Sequence, residues 1–122
     1  MIVAGFGFRK AATVSSLEGA LIAAWGARGI DCLAVPADKA EADPIKTFAA
    51  SRSLPLVPVD AEDLVAVETV TPGPAAAPRF EGSPAEAAAL AAAGPGARLA
   101  GPRAVSPDRL ATCAIAIREP AS

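Results

Sequence analysis

Met1-Ile2-Val3-Ala4-Gly5-Phe6-Gly7-Phe8-Arg9-Lys10 opens the chain with an apolar run, two glycines, two aromatic rings and two cations. Residues 2–5 read as a short buried strand that ends at glycine. Gly5-Phe6-Gly7 then reads as a tight turn that delivers Arg9 and Lys10 to the start of a helix. Further out, Ser15 and Glu18 have capping-box spacing, with serine accepting from a backbone N–H and glutamate reaching back. Val14, Leu17, Leu21, Ala24, Trp25 and Arg28 recur at helical spacing, and Gly29 is the expected C-cap.

The strand and helix pattern repeats. Residues 32–35 form a second buried strand closed by Pro36, and Asp43 before Pro44 is an N-cap and first-turn pair. The helix it starts runs to about Ser51, with Ile45, Phe48 and Ala49 on its core face. Residues 56–59 make a third strand, which Pro58 places at an edge or a strand end. A short helical turn is expected at 60–66, and a mobile loop at 70–80, where Pro72, Gly73, Pro74 and Pro78 cluster. Ser83-Pro84-Ala85-Glu86 is a second capping box with proline at the first helical position, and Gly94 stops that helix. Residues 98–100 are weakly strand-like, and 112–117 make a final strand. The expected fold is α/β: one three-layer α/β/α domain over residues 1–122, with helices on both faces of a small, mostly parallel or mixed sheet of about five strands.

A chain of 122 residues suits a single core. Its enrichment in alanine, glycine and proline reads as a genomic base-composition bias rather than as function. The net charge is −2, without a basic stripe and with few aromatics, so nucleic acid is not an expected partner. Histidine is absent, which removes the usual acid/base residue and the commonest metal ligand. No metal site and no cofactor are expected. Cys32 and Cys113 lie far apart in apolar segments and read as reduced, buried thiols. No apolar run approaches the roughly 18 residues that span a bilayer, and the start lacks the charged region of a signal peptide. A cytoplasmic protein with no membrane partner is expected.

Gly5-Phe6-Gly7-Phe8-Arg9-Lys10 invites a dinucleotide-binding reading but fails that fingerprint, because Lys10 stands where the third glycine belongs. What remains is a strand end facing a helix N-terminus beside Arg9 and Lys10, a cradle suited to carboxylates or phosphates. Two solvated charges on a surface turn are the equal alternative. Asp38, Lys39 and Glu41 follow the second strand at the same sheet edge. They suit ligand binding or proton transfer, or else an exposed, mutually paired charge cluster. Ser83 has no histidine to activate it as a nucleophile, and its spacing to Glu86 explains it as a cap. The N-terminus of that helix still offers N–H groups to an anion.

Several of these segments, in order, resemble one family. They are Gly5-Phe6-Gly7-Phe8-Arg9-Lys10 with its helix, Ala37-Asp38-Lys39-Ala40-Glu41, and Gly82-Ser83-Pro84-Ala85-Glu86-Ala87-Ala88-Ala89-Leu90. A small-residue turn through Gly94, a basic Arg103 and the closing Thr112-Cys113-Ala114-Ile115-Ala116 follow. Together they resemble CobE and the C-terminal domain of CbiG, of cobalamin biosynthesis, over roughly residues 1–118. Phe8 stands where the CbiG-like pattern tends to have cysteine, and the N-terminal domains of CbiG have no counterpart here. Both departures point to the stand-alone CobE branch. The resemblance implies a role in the corrin pathway, with a precorrin or corrinoid intermediate as partner and other cobalamin-pathway enzymes as contacts. Binding would draw on Arg9, Lys10 and Lys39 for charge and on Phe6 or Phe8 for ring contact. The alternative it implies is an enzyme that opens a lactone on the macrocycle and releases a two-carbon fragment. Asp38, Lys39 and Glu41 are then the candidates for its proton transfer.

Overall fold

A computed structural model describes residues 1–26, 28–60, 62–63, 84–94, 96–101 and 103–119. In chain order these form β1 (Ile2–Phe8), α1 (Val14–Trp25), β2 (Cys32–Pro36), a 3-10 turn (Ala37–Lys39), α2 (Asp43–Arg52) and β3 (Leu56–Val59). Then come α3 (Pro84–Ala93), β4 (Arg98–Leu99), β5 (Ala104–Val105) and β6 (Ala111–Ile117). The sheet order is β3-β2-β1-β6-β4, with β5 also paired to β6.

The sheet is mixed. β1, β2 and β3 run parallel, whereas β6 lies antiparallel to β1 along its whole length, from Ile2 opposite Ile117 to Phe8 opposite Ala111. That pairing corrects the reading of the opening segment: β1 does not turn at Gly5 but continues through Gly7 to Phe8. Alternation along the strand explains why. Ala4 and Phe6 face α1 and α2, and Phe6 meets Phe48 edge to face with ring centroids 5.7 Å apart. Val3 and Gly5 face α3, so Gly5 serves close approach of a helix rather than a bend. A Cβ there would collide with the Ala85 carbonyl oxygen and come within 2.7 Å of the Ala89 nitrogen.

The three layers follow from this alternation. Leu17, Leu21, Leu33, Val35, Ile45, Phe48, Cys113 and Ile115 fill one face, under α1 and α2. Val3, Cys32, Ala34, Ala88, Ala89, Ala93 and Ala116 fill the other, under α3. The helix face of Ile45, Phe48 and Ala49 is as the sequence suggests, and β3 with Pro58 is an edge strand. Helix boundaries shift by a few residues. Thr13 and Ser16, not Ser15 and Glu18, form the α1 capping box, and Gly26, not Gly29, caps its end at φ 74°. Ala42 precedes α2, with Asp43 in its first turn rather than as N-cap. The helical turn expected at 60–66, the loop at 70–80 and Ser83 lie wholly or largely outside the described residues.

The ends of β1 and β6 meet at the sheet's amino edge. The Met1 ammonium donates to the Arg118 carbonyl at 2.7 Å, and the Arg118 N–H donates to the Met1 carbonyl at 2.9 Å. The opposite, carboxyl edge carries Phe8, Pro36 and Val59 at the ends of the parallel strands.

Candidate functional site

The carboxyl edge collects most of the residues that the sequence singles out. Phe8, half-buried at the end of β1, has the Lys39 ammonium 5.7 Å from its ring centroid. The 3-10 turn after β2 thus brings Lys39 to the strand that carries Arg9 and Lys10, which are both exposed. Three ion pairs form among the described residues, and none of them uses Arg9, Lys10 or Lys39. Cations without an ion-pair partner at one edge can attract an anion locally whatever the net charge of the chain.

The other predicted residues are placed differently. Phe6 is fully buried beneath α1 and α2, whereas Phe8 is only half-buried. Gly5 is covered by α3, while Gly7 borders the edge. Asp38 is exposed on the 3-10 turn, and Glu41 pairs with Lys46 at 3.5 Å with its side chain 89% exposed. Glu86 is half-buried in the first turn of α3. The α3 C-terminus lies by the amino edge, where the Arg118 guanidinium donates to the Ala93 carbonyl at 3.2 Å. Its N-terminal turn therefore points toward the carboxyl edge.

An open groove of about 450 Å³ runs between the end of β1 and the β5–β6 hairpin. Phe8 and Arg9 form one wall, and Val105, Arg109, Leu110 and Thr112 form the other. The Arg9 N–H donates to the Leu110 carbonyl at 2.8 Å, and the Thr112 hydroxyl donates to the Gly7 carbonyl at 3.3 Å, which sews the walls together at the base. Val105 is 46% exposed, so the groove offers apolar surface beside its two guanidinium groups.

The hairpin wall is fixed by Asp108. The Ser16 hydroxyl donates to it at 2.6 Å, the Ser106 hydroxyl donates to its other oxygen, and the Leu110 N–H donates at 3.1 Å. Ser106 above all, then Ser16 and Leu110, hold the Asp108 carboxyl below the usual carboxylate range. Ser16 is itself buried as part of the α1 cap, so a single carboxylate ties the hairpin to that helix. None of Val105, Ser106, Asp108 or Arg109 was singled out from the sequence. The signal was Ser106-Pro107-Asp108, a run of turn formers whose partner strand β5 is only two residues long.

A search of curated protein sequences matches none to this chain. A family model described as "Cobalamin synthesis G C-terminus" matches residues 2–116. The crystal structure of cobalamin biosynthesis protein chiG from Agrobacterium tumefaciens str. C58 is 36% identical, with 98% of this chain and 100% of that one covered and a TM-score of 0.78. That of CobE, a protein from the cobalamin (vitamin B12) biosynthetic pathway, is 27% identical, with 98% and 93% covered and a TM-score of 0.77. A family model that spans nearly the whole sheet, with both sides of the groove inside it, establishes that this chain belongs to the family of the cobalamin synthesis G C-terminus.

Proposed function

We propose that this protein acts in cobalamin biosynthesis by binding a precorrin intermediate at the carboxyl edge of its sheet, to hold it or pass it on. Precorrins carry acetate and propionate carboxylates around an apolar ring, so their site must combine cations with apolar surface. The observation that carries the reading is the half-buried Phe8, with Lys39 over its ring and Arg9 and Lys10 beside it, all three cations without a carboxylate partner among the described residues. Glu41 and Asp38 are open to solvent and not enclosed with these groups, which favours binding over proton transfer at that turn.

The test mixes purified protein with pathway intermediates and separates the mixture by gel filtration. The tetrapyrrole's visible spectrum is expected to elute with the protein, and the Arg9→Ala, Lys10→Ala double variant is expected to retain less. A spectrum that never co-elutes overturns the proposal. A bound ligand whose mass changes on incubation replaces holding with a reaction on the macrocycle.

A further inference from the structure

The hairpin turn opposite Phe8 contains a residue whose backbone and side chain have opposed preferences. Arg109 has φ 62°, directly after the Ser106-Pro107-Asp108 turn, which its N–H closes by donating to the Ser106 carbonyl at 2.9 Å. Glycine suits that turn position, because a Cβ in the left-handed region crowds the following carbonyl oxygen. Arginine occupies it nonetheless, and its side chain makes no ion pair among the described residues. The bonds that Asp108 accepts from Ser106 and Leu110 hold the turn in this conformation, and the one from Ser16 anchors it to α1. Strain maintained by its surroundings is a pointer to function. Here the strained residue lines the groove together with the exposed Val105.

We infer that residues 105–110 are the second jaw of the ligand site, with Arg109 as a carboxylate-binding residue opposed to Arg9 and Asp108 as the positioning residue behind it. The inference rests on the binding reading above and extends it to a wall of the groove that the reading does not require. It also specifies the ligand class: a polycarboxylate with an apolar body, whose rim acids meet the two guanidinium groups while its body lies against Phe8 and Val105.

The test titrates uroporphyrin I, a planar octacarboxylate, against the wild-type protein and its Arg9→Ala, Arg109→Gly, Arg109→Lys and Asp108→Ala variants. Arg109→Gly is expected to melt at or above the wild-type temperature, since it relieves the backbone, yet to bind at least about tenfold more weakly. Lysine keeps the charge without the two-pronged geometry, so Arg109→Lys is expected to fall between. Asp108→Ala is expected to weaken binding in the wild-type background and to weaken it by a smaller factor in the Arg109→Gly background, because part of its effect passes through Arg109. Equal factors in the two backgrounds would overturn its role in positioning Arg109. If Arg9→Ala weakens binding and Arg109→Gly does not, the second jaw is overturned and the binding reading stands. A wild-type protein that does not take up uroporphyrin also overturns the inference, and gel filtration with precorrins then decides the reading separately.

Discussion

Gly5 occupies a position where nothing larger than hydrogen fits. Its Cα lies under the first turns of α3, so close that an added methyl group would displace backbone, which cannot swing aside as a side chain can. Gly5→Ala is expected to lower stability by about 3 kcal/mol, the upper end of overpacking costs, read as a fall in the denaturation midpoint. An unchanged midpoint would show that α3 can lift off the sheet. The alanines opposite, Ala85, Ala88 and Ala89, are all fully buried, which gives a packing reason for residues that composition alone assigns to base-composition bias. In sequence the glycine signalled a turn, because a turn and a close helix approach both need a missing side chain. Only pairing with β6, more than a hundred residues later, separates the two readings. Phe6 and Phe8 pose the same problem: alternation assigns them to one face, and only the packed helices show that Phe6 is covered completely and Phe8 is not.

At the scale of elements, the sequence made most helices and strands legible and left their partners hidden. β2, α2, β3 and β6 stand where periodicity places them, since each carries its own apolar pattern. The reading of Ser15 and Glu18 as the α1 cap misses the start because Thr13 and Ser16 suit a cap as well. The choice is settled by Asp108, a long-range partner that local spacing does not reveal. β5 escaped notice because two residues have no period. The same contact makes the α1 start sensitive to acid. The Asp108 carboxyl is stabilised as an anion in the folded state, so its folded pKa lies below the unfolded value of about 3.9. Its contribution is therefore complete above about pH 4 and lost as pH falls through the depressed folded value, where the unfolded chain binds the extra proton first. Wild-type protein is expected to lose melting temperature more steeply below about pH 4 than Asp108→Asn. Parallel profiles would remove Asp108 from the latch.

Across the whole molecule, the sheet separates two unlike interiors, a bulky one under α1 and α2 and a small-residue one under α3. Cys113 lies in the first and Cys32 in the second, with β1 between their strands, so no side-chain motion brings the two sulfurs together. Burial raises the pKa of both thiols, and Asp31 adds to the effect at Cys32. Neither is expected to react with a disulfide reagent in native protein, and both are expected to become reactive in one transition on denaturation. Early labelling of Cys32 alone would mean that α3 opens before the rest.

The antiparallel pairing of β1 with β6 also fixes where an attachment at Met1 would emerge. Met1 and Arg118 clasp each other at the amino edge, a full strand length from Phe8 and the groove. A fluorophore or a solid support joined at Met1 would therefore leave the carboxyl edge of the sheet uncovered. A short peptide splicing residue 118 to residue 1 would make the chain a candidate for circular permutation, with new ends cut on the surface and the groove kept whole.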